Sequence, residues 1–251
     1  MINLNVNIPN LPSGSVKLVI VDRNAPKAFF DYLKCKNISF IKSAYLKNTL
    51  PSVSTHPDMQ ICNLGNGNFI AENSVYDYYS DKLKHFGLNL IKGEKVQSNY
   101  PYDIAYNVVI TGKYFMHNLK YTECEILDFV KKSNYCICNV KQGYTKCATC
   151  IIDENAMITS DIGIYNECIK NGIECLHISS GNIILGERTD GFLGGCCGMI
   201  GKRELLFCGD IKRHYDYNKI MSFAAEHLVS IVSSHDGMLT DIGSIIPVIQ
   251  E

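Results

Sequence analysis

Hydrophobic and polar positions follow one unit that recurs along the chain, and the unit is most complete between Gly143 and Gly198. A short apolar run predicts a strand over 147–153, Asp153-Glu154-Asn155 a turn, and 156–160 a second strand. Ser160 stands where a helix N-cap is expected, the helix covers 162–170, and Asn171-Gly172 ends it. A third strand follows over 173–178, and the pattern restarts at Gly191-Phe192.

The same order is legible elsewhere. After a polar arm over 1–14, expected to be loosely held, 16–21 (VKLVIV) is a strand. Asn24 is expected to cap a helix over 25–36, with Pro26 in its first turn, and 38–41 is the next strand. A long loop spans 42–55. The second unit has strands over 59–64 and 69–72 around the hairpin dipeptide Asn66-Gly67. Its helix over 75–86 is capped by Asn73 or Ser74 and closed by Gly87, and 88–91 is its third strand. The next has strands over 107–111 and 114–117, a capping box of Thr122 and Glu125 that opens a helix running to Lys132, and a strand over 135–140. Beyond Gly191 come 192–200, 204–208, a helix from Asp216 to His227 and 228–233. The last run, 242–249 (IGSIIPVI), is a first strand without a second, whereas 16–21 is a second strand without a first. Pairing them completes a fifth unit. The expectation is an α/β fold in a single domain over 1–251: a pseudo-symmetric α/β propeller of five blades, closed by its N- and C-terminal strands so that no raw sheet edge remains. A plain open α/β sheet is the alternative.

Composition narrows the function classes. The chain has 251 residues, 46% hydrophobic and 20% charged, with a formal net charge of -1. That balance lacks the basic footprint of a nucleic-acid binder. Neither a membrane span nor a secretory leader is legible, so nucleic acid and membrane are not expected partners and a cytoplasmic location is. The 12 cysteines then read as reduced, mostly buried thiols, and no cofactor is called for.

Two stretches carry a family resemblance. Asp236-Gly237-Met238-Leu239-Thr240 is similar to the segment of dimethylargininases that precedes their nucleophilic cysteine, and 107–116 (NVVITGKYFM) resembles their central strand pair. With the five units, this resembles the pentein fold of guanidino-modifying enzymes, which also houses non-enzymatic ribosome anti-association factors. The motifs SxHPD, QGYxKC, GFxGG and DxGSI, as they stand here, resemble a bacterial pentein family that carries no assigned activity. The resemblance implies a hydrolase or transferase acting at a C–N bond of a guanidino, amidine or amide compound, or else a non-catalytic binding or interaction protein. Against the enzymes' pattern, Asp241 stands in place of the nucleophilic cysteine, Tyr144 or its neighbours in place of the histidine, and Asn107, with Asp103 upstream, in place of the supporting acid.

Under pseudo-symmetry the loops leading into each first strand gather at one end of a central channel. They carry His56-Pro57-Asp58, Tyr102-Asp103, Tyr144-Thr145-Lys146-Cys147, Asp190-Gly191 and His235-Asp236 with Asp241, and Asn107 opens the strand that follows one of them. Such a mouth is expected to hold a small polar or cationic molecule. Within it Cys147 is the candidate nucleophile, with Lys146 expected to lower its pKa; His56 and Asp241 are the other candidate catalytic groups. Asp58, Asp103, Asn107, Tyr144, Lys146 and Asp190 are the candidate ligand-binding residues. Cys136, Cys138, Cys147 and Cys150 raise a zinc reading, opposed by their strand-like alternation, so no metal is expected. The glycines over 194–198 point to close backbone approach rather than a phosphate loop. Asp210 and His214 read either as a proton-transfer pair or as a surface turn.

Overall fold

The computed structural model describes residues 4–47 and 49–251. Residues 1–3 of the arm and Asn48 of the long loop lie outside the described residues. The described residues form five three-stranded mixed sheets and five α-helices. The first sheet holds β1 (Val16–Val21) and β2 (Ser39–Lys42), joined by α1 (Lys27–Cys35). The second holds β3 (Ile61–Gly65), β4 (Asn68–Ala71) and β5 (Asn89–Lys92), with α2 (Tyr76–Leu83) before β5. The third holds β6 (Val109–Ile110), β7 (Tyr114–His117) and β8 (Cys136–Asn139), with α3 (Cys124–Lys132). The fourth holds β9 (Thr149–Asp153), β10 (Ala156–Thr159) and β11 (Glu174–His177), with α4 (Ile162–Lys170). The fifth holds β12 (Cys197–Gly201), β13 (Glu204–Phe207) and β14 (Ser230–Ser233), with α5 (Tyr217–Glu226). The final strand β15 (Ile246–Gln250) returns to the first sheet.

Each sheet obeys one rule. Its middle strand pairs antiparallel with the strand before it and parallel with the strand after the helix. In the first sheet the missing leading strand is β15, which pairs antiparallel with β1, matching Ile20 to Ile246 and Val16 to Gln250. The expected junction of the two chain ends is therefore present.

The helices are short, so packing rather than propensity holds them. Each buries a pair one helical turn apart: Phe29 and Leu33, Tyr79 and Leu83, Ile126 and Val130, Ile164 and Cys168, Ile220 and Ala224. That i, i+4 spacing puts both side chains on the face turned to the sheet.

Several expected caps fall on a neighbour. Asp161 rather than Ser160 caps α4, accepting from the Ile164 amide at 2.9 Å. Glu123 rather than Thr122 caps α3, accepting from Ile126 at 2.8 Å, because the Thr122 hydroxyl faces His117. Glu72 rather than Asn73 or Ser74 takes the Ser74 amide ahead of α2. Asn24 makes no cap; its amide NH donates to Asp22 and its side chain to Thr55. A carboxylate accepts more strongly than a hydroxyl or amide at the positive helix end, which favours the acidic neighbour. The arm is not loose over its described part. Val6 is buried, and the amide NH of Gln250 donates to the Leu4 carbonyl at 2.7 Å. Among the described residues no helix is long and apolar enough to cross a membrane.

His117, fully buried on β7, ties the third sheet to the loop before β9. Its ring nitrogens meet the Thr122 hydroxyl at 2.8 Å and the Gly143 carbonyl at 3.1 Å. Burial holds its pKa down to about 4, against the small upward pull of the carbonyl. Unfolded, the ring takes a proton below its ordinary value near 6.5. Between these values acid favours the unfolded chain, so stability falls as pH drops through that window, by about 3 kcal/mol in all. His117→Gln removes this dependence. In denaturant titrations the wild type should lose stability relative to the variant between about pH 7 and about pH 5; parallel losses would show that His117 is not held neutral.

Candidate functional site

The loops ahead of the five first strands meet in a closed circuit of hydrogen bonds. The Asp58 amide donates to the Gly243 carbonyl at 3.3 Å. Asn107 reaches toward Met59 Sδ at 3.5 Å and its side-chain oxygen accepts from the Lys146 and Cys147 amides at 2.8 and 3.2 Å. The Gly195 amide donates to the Cys147 carbonyl, and the Gly195 carbonyl accepts from the Ile242 and Ser244 amides. Gly195 is required for this approach, since a Cβ there would sit 2.0 Å from Asp241 Oδ1. The glycine run thus serves close packing, as its sequence suggests.

Inside the circuit lies a buried polar cluster. The Cys147 thiol donates to Asp58 Oδ2 at 3.0 Å and accepts from Asn107 Nδ2 at 3.3 Å. The Ser244 hydroxyl donates toward the same Asp58 oxygen at 2.9 Å, with the Gly194 carbonyl as a second acceptor at 3.1 Å. Lys146 Nζ donates to Ser244 Oγ at 3.1 Å. His56 stands between two carboxylates, its Nδ1 3.8 Å from Asp241 and its Nε2 3.8 Å from Asp22. Those separations are too long for hydrogen bonds. Asp241 is fixed by the Phe192 and Gly243 amides at 2.9 and 3.0 Å. His56, Asp58 and Cys147 are each 2% exposed.

The electrostatics overturn one expectation. Cys147 lacks the lowered pKa expected from Lys146: Lys146 Nζ is held by Ser244, whereas the thiol is bonded directly to Asp58, on the oxygen that Ser244 also contacts. Burial raises the Cys147 thiol well above its ordinary value, and the charges of Asp58 and Asp241 and the bond to Asp58 add to this, with Asn107 opposing. Burial also raises Asp241, against the pull of His56 and the two amides. At rest the sulfur is a thiol held by a carboxylate. Nor is Cys147 on a strand, since β9 begins at Thr149.

A cavity of about 210 Å³ opens onto this cluster. Cys147 and Asp241 form part of its lining, with Tyr144, Phe192, Leu185 and Asp190 around them. On another side of Asp58 lies a space of about 20 Å³, lined also by Lys146 and Asn63, room for one water. Of the residues singled out in the sequence, His56, Asp58, Asn107, Lys146, Cys147 and Asp241 come together. Tyr144 joins them as cavity wall. Asp103 stands back, buried, accepting from the Tyr144 hydroxyl at 3.3 Å, with its carboxyl raised by burial. Asp190 is half-exposed and paired with Arg188 near the rim. Ser244 and Asp22 were missed. The signal for Ser244 was its place after Gly243 in DxGSI: both residues take positive φ, 71° for Ser244, which aims the hydroxyl at Asp58.

The thiol quartet does not assemble. Cys136 is exposed and faces Asn171, Cys138 lies near the Cys136 carbonyl, Cys147 binds Asp58, and Cys150 meets Cys197 at 3.4 Å. Cys147 and Cys150 therefore take different partners. Asp210 accepts from the Lys212 amide and His214 from the Asp216 amide, so these two serve turns rather than each other.

Comparison with known proteins agrees with this architecture. No curated protein matches the sequence. Among solved structures, an agmatine deiminase of C. jejuni superposes with a TM-score of 0.55 at 11% identity, covering 93% of this chain and 94% of that one. An amidinotransferase of the saxitoxin biosynthetic pathway from Microseira wollei gives 0.57 at 10% identity over 92% and 91%. The inosamine-phosphate amidinotransferase of Streptomyces griseus gives 0.58 at 10% identity over 98% and 96%. At such identities the likeness is one of fold, the pentein fold. The sequence itself matches a family description over residues 20–246, and the chain belongs to that family, the family of unknown function DUF6873.

Proposed function

We propose that this chain is a one-domain, five-bladed pentein that binds a small guanidino, amidine or amide compound above Asp241 and Cys147 and cleaves one of its C–N bonds through the Cys147 thiol. The ring rests on the shared sheet rule, the β1–β15 pairing and the closed circuit of loops. The function rests on one observation above all. A thiol already bonded to a carboxylate, Cys147 to Asp58 at 3.0 Å, lies in the wall of the cavity that Asp241 also lines.

Ionising Cys147 is opposed at rest first by burial and then by the neighbouring negative charge. A bound organic cation offsets that charge, so the thiolate becomes accessible when substrate is present. The thiol proton passes from Sγ to Asp58, the Sγ–C bond forms, and the C–N bond breaks as the departing amine takes up that proton. Water or an acceptor amine then displaces the sulfur. Ser244, held by Lys146, steadies the Asp58 carboxylate through the exchange. The carboxylate of Asp241, its oxygens fixed by backbone amides, anchors the cation.

A second reading, a binder without chemistry, is favoured by the near-complete burial of Cys147 and its protonated state. The two readings share the ligand and differ in turnover. A thermal-shift series with guanidino compounds, amidines, amino acids and small amides should reveal a ligand that adds about 2.7 kcal/mol at one hundred times its dissociation constant. That increment should vanish in Asp241→Ala; an increment kept in the variant, or no ligand from any class, removes the cavity reading. With the ligand in hand, Cys147→Ser should retain binding and lose turnover by on the order of 1000-fold. Binding by wild type without any turnover would establish the second reading.

A further inference from the structure

We propose that His56, Asp58 and Cys147 form a binding site for a single divalent, zinc-class metal ion. One ligand atom from each lies within 4.8 Å of the others. Among the described residues this is the one group of three or more histidine, cysteine or acidic side chains with such spacing. A tetrahedral zinc ion with bonds of about 2.0–2.3 Å needs ligand atoms about 3–4 Å apart. The group therefore has to close from separations of up to 4.8 Å, and the direct Cys147–Asp58 bond at 3.0 Å gives way to bonds through the ion.

The second observation concerns hydrogen bonds that are not made. His56 Nδ1 and Asp58 Oδ1 are both buried without a partner. Each such atom costs about 1–3 kcal/mol if left so. A water in the small space beside Asp58 answers for Oδ1 alone, since His56 does not line that space. A cation between the imidazole, the carboxylate and the sulfur satisfies both orphans at once and replaces the thiol proton. Imidazole nitrogen, carboxylate oxygen and thiolate sulfur together suit a borderline-soft ion and disfavour magnesium or calcium.

The surroundings complete the case. Cys147 and Asp241 line the 210 Å³ cavity, so a fourth position opens toward a ligand from that side. Asp22, 3.8 Å from Nε2, stands at the ring nitrogen opposite the one the ion would take, where a carboxylate orients a metal-bound histidine, and Asp241, 3.8 Å from Nδ1, adds negative charge beside the ion. Lys146 Nζ contacts Ser244 Oγ, which is bonded to Asp58, so it stands one hydrogen bond removed from the carboxylate. While the ion is bound Cys147 is a ligand, so thiol attack is switched off. The site itself does not depend on the proposed C–N chemistry.

The test is metal binding to the chelator-stripped full chain, read without any activity assay. Zn²⁺ titrated against a chromophoric competitor should bind at one equivalent. Co²⁺ in its place should show a thiolate-to-cobalt absorption band that Cys147→Ser abolishes. Asp58→Asn and His56→Gln should each weaken Zn²⁺ by more than the roughly 10–100-fold that loss of an outer-shell partner costs. Cys136→Ser, which changes an exposed thiol elsewhere, should leave both readouts unchanged. Thermal melts of each variant identify any that fail to fold, and the folded ones decide. The proposal is overturned if folded wild type takes up no stoichiometric Zn²⁺, or if uptake survives in Cys147→Ser and falls in Cys136→Ser.

Discussion

The pairing of β15 with β1 is the constraint on which the site depends. It is the one sheet built from the two ends of the chain, and its main-chain ladder runs out to reciprocal bonds between Ser15 and Glu251 at 2.9 and 3.0 Å. It carries the loop of Asp241, Gly243 and Ser244 back to the loop of His56 and Asp58, some 186 residues away in sequence. Without that return, Asp58 would lose the Ser244 hydroxyl, His56 would lose one of its two carboxylates, and the cavity would lose its Asp241 wall. Contacts at such separation are costly in chain entropy, and the gain comes only when the whole set forms.

The site so assembled is rich in buried charge. Asp22, Asp58, Asp103 and Asp241 are buried acids, set against Lys146 and His56. Desolvation penalises every one of these charges, and only fixed donors offset it. Asp241 has two backbone amides, and Asp58 has a thiol and a hydroxyl on one oxygen and nothing on the other. An apolar filling of the same space is often as stable or more so, so stability alone does not account for the arrangement; both proposals above place a positively charged guest, organic or metallic, there.

Much of this was legible in the sequence because the unit repeats. The helix over 162–170 and the strand over 16–21 coincide with α4 and β1, since apolar spacing and turn residues agree there. The convergence of His56, Asp58, Asn107, Lys146, Cys147 and Asp241 followed from repeat position alone. What escaped was side-chain direction. Nothing in Lys146-Cys147 says that one side chain goes to Ser244 and the other to Asp58; that is decided by Asn107 gripping both amides. Asp22 escaped because its approach to His56 spans two loops. The caps slipped by one position where an acidic residue stood beside the expected hydroxyl or amide, a choice set by local electrostatics rather than by hydrophobic pattern.

The central claim is that the loop after β14 and the loop before β3 close on each other through Asp58 and Ser244. A double-mutant cycle measures it most directly, using unfolding free energies of wild type, Asp58→Asn, Ser244→Ala and the double variant. Residues in one buried hydrogen-bond network should couple by at least about 1 kcal/mol. Strict additivity of the two substitutions would contradict the account, because two residues so far apart in sequence interact only if the ends of the chain are joined as described.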